Sequence, residues 1–153
     1  MLKWLLAGMA LCLAACSLDD SDARYYHPPQ GTTAANGGTI IGSRTPEPPL
    51  VSDQIVFLRG VAGEPVRGGN GAYDRPVLVP AGKVNVTIAW NQGSLFGQIT
   101  VPLTIKPNDS LVIRHQREDK ERARVWFEDA RTHATVGEPL FIRLQPVQMV
   151  VEK

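Results

Sequence analysis

Val84-Asn85-Val86-Thr87-Ile88-Ala89-Trp90 alternates apolar side chains with small or polar ones in a single register. Successive side chains of an extended chain point to opposite sides, so this period of two marks a strand with one buried face. Val84, Val86, Ile88 and Trp90 share that face, and Asn85, Thr87 and Ala89 share the other. The pattern recurs downstream, with Ile99, Val101, Leu103 and Ile105 facing one way and Gln98, Thr100, Pro102 and Thr104 the other. Proline has no N–H to give a ladder, which makes this second stretch an edge strand or a bulged one.

Short β-type runs at 39–43, 54–59 and 76–79 precede the pair, separated by turns at 45–49, 60–63 and Pro80-Ala81-Gly82. Pro107-Asn108-Asp109 turns the chain into Leu111 and Ile113, followed by Val125 and Phe127 and then by Leu140, Ile142 and Leu144. Helical periodicity of useful length is absent. About seven strands without helices between them predict antiparallel pairing, because parallel neighbours need long crossovers. The expected fold is all-β, a small antiparallel β-sandwich of the immunoglobulin-like or transthyretin-like kind, with Trp90 and Phe127 as the largest core side chains.

The stretch Pro80-Ala81-Gly82-Lys83-Val84-Asn85-Val86-Thr87-Ile88 resembles the proline-glycine turn and alternating strand of PEGA-like and transthyretin-like sandwich modules of bacterial envelope proteins. Val125-Trp126-Phe127-Glu128-Asp129 and Val136-Gly137 extend the likeness toward small envelope lipoproteins. The turn departs from the Pro-Glu-Gly-Ala of PEGA itself. The resemblance implies an accessory or binding domain and carries no catalytic residue with it.

At the other end of the chain, Met1-Leu2-Lys3 is followed by an apolar run from Trp4 to Leu13 that closes on Ala14 and Ala15. This is the plan of a secretory signal peptide, residues 1–15. Crossing a membrane takes about 20 apolar residues, and Ser17, Asp19, Asp20 and Asp22 end the run short of that. Leu13-Ala14-Ala15-Cys16 resembles the lipobox of bacterial lipoproteins, which implies that the Cys16 thiol is diacylated and becomes the mature N-terminus. Two or more acyl chains anchor stably where one does not. Ser17 in place of Asp implies, within that family, export to the outer membrane, with the domain in the periplasm or exposed at the surface.

Loss of residues 1–15 removes Lys3 and no acid, so fifteen Lys plus Arg balance fifteen Asp plus Glu. A neutral chain without a basic, aromatic-interleaved stripe lacks the main electrostatic contribution to nucleic-acid binding, and no nucleic-acid partner is expected. Cys12 leaves with the signal and Cys16 is consumed by lipid, so neither disulfides nor a cysteine nucleophile are expected in the oxidising envelope. Stability must come from the core of the sandwich, residues 39–153.

Residues 16–38 read as the lipidated cysteine and a flexible linker, with a root-mean-square reach of roughly 25 Å. Within it, Tyr25-Tyr26-His27 either docks on its own domain or stacks on a partner or glycan. Asp19, Asp20 and Asp22 lack the spacing and turn glycine of a calcium loop and read as a solvated spacer.

Residues in patterns that carry chemistry are few. His27, His115 and His133 have no ligand-like spacing, and no metal or other cofactor is expected. Gly93-Ser94-Leu95-Phe96-Gly97 lacks the glycine two residues before the serine of a nucleophile elbow. Its Leu95 and Phe96 are either a core plug or a membrane or partner contact. Glu128 and Asp129 are neighbouring acids, but strand alternation points them apart. Arg117-Glu118-Asp119-Lys120-Glu121-Arg122 mixes signs as a solvated hairpin tip does. Gly68-Gly69-Asn70-Gly71 lacks the Lys-Ser or Lys-Thr ending of a phosphate loop and reads as a flexible loop beside Tyr73, which is also the candidate recognition edge.

The expectation is a non-enzymatic, outer-membrane-anchored structural or protein-interaction module, attached to the membrane through lipid on Cys16 and able to recruit an envelope protein by edge-strand pairing. The alternative is capture of glycan, peptidoglycan or a small ligand at loops carrying Asn70, Tyr73, Trp90, Leu95 and Phe96. A hydrolase ranks last, because no nucleophile pairs with a base.

Overall fold

The computed structural model describes residues 24–147; Cys16 with its lipobox, and the Asp19, Asp20 and Asp22 triplet, lie outside the described residues. In chain order the strands are β1 (Gly37–Ile41), β2 (Ser43–Thr45), β3 (Gln54–Val61), β4 (Glu64–Pro65), β5 (Val77–Pro80), β6 (Gly82–Gln92), β7 (Leu95–Ile105), β8 (Asp109–Arg117), β9 (Arg122–Asp129), β10 (Thr135–Arg143) and β11 (Gln145–Pro146). The chain is all-β, and its strands form two sheets. One runs β10-β9-β8-β1-β5 and the other β11-β7-β6-β3-β2, with β4 paired to β3.

The alternation of β6 and β7 works as expected. Val86, Ile88, Trp90, Leu103 and Ile105 are buried, and they meet Ile40, Leu111, Ile113, Val125, Phe127 and Ile142 of the other sheet in one core. Trp90 is completely buried, and side chains of that class contribute about 1.5–3 kcal/mol each on leaving water. Gln92 and Leu95 close the hairpin, with Gly93 at φ 57 in the position that a type II′ turn reserves for glycine.

Three expectations are corrected. Eleven strands replace about seven among the described residues, because β2, β4 and β11 span only two or three residues and show no alternation. Pairing is not uniformly antiparallel: β1 lies parallel to β8, in register from Gly38 with Asp109 to Ile41 with Val112. The intervening strands of the second sheet supply the long return path that parallel neighbours need. The folded body also begins before residue 39. β1 starts at Gly37, and Tyr26 donates its N–H to the Pro65 carbonyl at 2.8 Å and its hydroxyl to the Leu78 carbonyl at 3.0 Å. Of the two readings of Tyr25-Tyr26-His27, docking on its own domain describes Tyr26, which packs against the core.

Two irregularities shape the outer face and edge of the second sheet. Leu58 pairs with Ile88 and Gly60 with Thr87, so Arg59 is a bulge without a partner on β6, while its carbonyl accepts from the Val66 N–H on the other side at 2.7 Å. At the outer edge of β7, β11 covers only Leu95 and Phe96. Counting ladder bonds from the closing pair Gln92–Leu95, the backbone groups of Phe96, Gln98, Thr100, Pro102 and Thr104 face away from β6. The missing N–H of Pro102 therefore falls on the open edge, in agreement with the edge-strand reading.

Candidate functional site

Strand alternation separates Leu95 from Phe96. Leu95 packs inward against the core, whereas Phe96 lies on the outer face of its sheet. The Arg59 guanidinium, carried out by its bulge, sits over the Phe96 ring at 5.0 Å from its centroid. Together with Gly97, Gln98, Arg143, Gln145, Pro146 and Val147 they enclose a groove of about 580 Å³ along the β7 edge. Gln98 and Arg59 also line a smaller neighbouring hollow that contains Thr87, Glu64 and Pro65.

The groove mixes the polar side chains of Arg59, Gln98, Arg143 and Gln145 with the apolar ones of Phe96, Pro146 and Val147. Arg59 and Arg143 form no ion pair with a carboxylate among the described residues, whereas Arg44, Arg114, Arg122, Arg124 and Arg131 each do. Val147 keeps 52% of its surface exposed. The sequence reading found Phe96 but missed Arg59 and Arg143, which come from distant strands and show themselves only through the β3 bulge and the end of β10.

The remaining candidates do not converge on this groove. Trp90 is a strand residue whose side chain fills the core between Val56 and Gly97, as its place in the alternation predicts, and its second reading as a ligand-loop residue is corrected. Its indole Nε1 is buried without a hydrogen-bond partner. Asn70 is exposed on a single 3₁₀ turn, Gly69–Ala72, and Tyr73 follows it half-buried. The Tyr73 carbonyl accepts from the Gly42 N–H at 2.7 Å, which ties this loop to the β1–β2 junction. β3 and β6 stand between it and Phe96.

Among the described residues no three His, Cys, Asp or Glu side chains are grouped as a metal would need. Glu128 accepts from Arg114 Nε at 3.2 Å and lies 3.0 Å from His133 Nδ1, and these contacts, His133 first, hold its carboxyl below the usual range. Asp129 is lowered as well, by the backbone N–H groups of Thr132 and Arg131. General acid–base work requires two carboxyls pushed apart, and these move in the same direction.

Sequence reasoning also missed a contact between Ser43 and His115. Ser43 Oγ donates to the Ile113 carbonyl at 2.6 Å and lies 3.3 Å from His115 Nδ1. Burial, helped by Arg114, lowers the imidazole to about 4. A serine that gives its proton to a carbonyl is not activated by the imidazole beside it.

The outer face of the first sheet carries Arg114, Arg124 and Trp126, with Arg124 stacked on Trp126 at 5.4 Å. The charges there are neutralised by Glu128 and Glu118, and Arg122 nearby is paired with Asp119. In the turn before β3, Leu50 is wholly exposed at φ 75, and Val51 beside it is half exposed.

No protein-family model matches the chain, and neither a curated protein nor a solved structure is significantly similar to it.

Proposed function

We propose that the chain is an envelope lipoprotein, tethered to the outer membrane through lipid on Cys16, whose sandwich is a non-enzymatic protein-interaction module. The observation that carries the interaction reading is the open edge of β7 beyond Phe96, lying beside a groove with unspent charge and exposed apolar surface. An open edge offers backbone donors and acceptors to an extended segment, and the flanking hollows discriminate its side chains. The signal-like residues 1–15 and the Leu13-Ala14-Ala15-Cys16 motif support the anchor.

The anchor is tested by mass spectrometry of the protein from native membranes, where wild type carries acyl chains on Cys16 and Cys16→Ala accumulates as an unprocessed precursor. A Cys16→Ala protein cut and acylated like wild type would sink the anchor. The module is tested by placing a photo-crosslinking residue at Thr100 in intact cells. A stoichiometric protein adduct at this position, absent when the residue stands at Glu138, is expected; adducts to glycan alone would overturn the reading.

A further inference from the structure

We infer that the groove beside β7 receives a short, acidic, extended segment of a partner protein, paired with the β7 edge at Gln98 and Thr100 and holding its carboxylates against Arg59 and Arg143. This rests on the proposal that the sandwich is a protein-interaction module, and it names the chemistry of the partner.

The length of the segment is set by the edge. β11 ends its pairing at Phe96, the chain turns away into the other sheet at Arg143, and Pro102 removes the next edge N–H after Thr100. What remains open is the pair of exposed residues Gln98 and Thr100, enough for a short strand and too little for indiscriminate sheet extension.

The sign of the segment follows from the arginines. Arg59 and Arg143 line the same groove, both are exposed, and neither is paired with a carboxylate among the described residues. Elsewhere on the surface, acids neutralise Arg44, Arg114, Arg122 and Arg124, and of the arginines without a carboxylate Arg117 is taken up by Gln92 Oε1 and the Asp119 carbonyl, while Arg75 does not line this groove. Two guanidiniums left open in one groove complement carboxylates, and they favour planar, bidentate acceptors. Glu64, in the hollow beyond Arg59, limits how far the acidic part extends. Pro146 and Val147 provide apolar contact for the alternate side chains of the strand.

A protein segment is favoured over a sugar by Phe96. Its ring already carries the Arg59 guanidinium, so a pyranose could stack there only by displacing it.

The test is fluorescence anisotropy with the full acylated chain in detergent micelles. The probes are a labelled eight-residue peptide alternating valine and glutamate, its valine–lysine counterpart, and a labelled oligogalacturonate. Binding of the glutamate peptide that weakens with salt is expected, with a loss of about fivefold in each of Arg59→Gln and Arg143→Gln. Both positions are exposed, so their urea midpoints should stay at the wild-type value. Thr100→Pro, which removes an N–H from the open edge and none from the β6 ladder, should weaken binding as well. Equal binding of the lysine peptide, or indifference to both arginine variants, overturns the inference. Binding of oligogalacturonate without the glutamate peptide overturns it in favour of a glycan. If Thr100 still crosslinks to a protein in cells while the glutamate peptide fails to bind, the acidic specificity is lost and the interaction module stands.

Discussion

Gly97 on β7 lies against the carbonyl oxygen of Arg143 on β10, so closely that only a hydrogen fits between them. A Cβ there would also stand 2.5 Å from Ile142 Cγ2. Here the edge of one sheet is pressed onto the edge of the other, at the base of the groove that holds Arg59 and Phe96. Gly97→Ala should therefore destabilise the fold by about 1–3 kcal/mol through overpacking. Gly71→Ala is the matching control, since nothing lies within 4 Å of a Cβ there, and it should stay within about 0.5 kcal/mol of wild type. Urea denaturation reads both; equal midpoints for the two variants would refute the close approach.

His115 predicts an acid-side loss of stability. Its folded value of about 4 lies below the ordinary 6.5, so the unfolded chain takes up the proton first. Stability should be full above pH 6.5 and fall as pH drops toward 4, by no more than about 2 kcal/mol once the partial solvent screening of the ring is discounted. Urea midpoints at intervals from pH 7.5 to 4 follow the loss. His115→Gln should flatten the curve above pH 5, leaving the decline of the lowered carboxyls Asp53, Asp119, Glu128 and Asp129 at more acid pH.

Leu50 holds a left-handed backbone without burying any of its side chain. Asparagine tolerates that conformation better than leucine, and nothing buried is lost in the exchange. Leu50→Asn should raise stability by about 0.5–1 kcal/mol, visible as a higher melting temperature; a lower one would show that Leu50 is held by something beyond its own turn.

Tyr26→Phe removes the hydroxyl that reaches the Leu78 carbonyl and keeps the ring against the core. The expected cost is about 1 kcal/mol. Limited trypsin digestion should cut after Arg24 faster in the variant than in wild type, whereas equal rates would show that the Tyr26 backbone bond to Pro65 alone holds the segment.

Much of the fold is legible in local pattern. Alternation from Val84 to Trp90 and from Gln98 to Ile105 identifies β6, β7 and the inner face of one sheet, and Pro102 identifies its edge. The parallel β1–β8 pair is not legible, because it joins Ile40 to Leu111 across most of the second sheet and β5 of the first, and no local period records a partner. Gly137-Glu138-Pro139 forms a bulge inside β10, since Val136 pairs with Phe127 and Leu140 with Val125, and no local period announces it. The groove is the least legible part. Phe96 announces itself as an apolar side chain beside a turn, but Arg59 and Arg143 look like ordinary strand-end charges until a bulge and a close contact at Gly97 bring them to one place.

The position of β1 between β8 and β5 gives the domain a mechanical polarity. Tension arriving from the N-terminal side runs along an interior strand and must shear two ladders together, after first breaking the Tyr26 contacts. Tension arriving from the C-terminal side meets β11, two residues long on an outer edge, and can peel it from β7 one pair at a time. The fold is thus fastened most strongly at the end through which a lipid anchor would load it, and it yields first beside the groove.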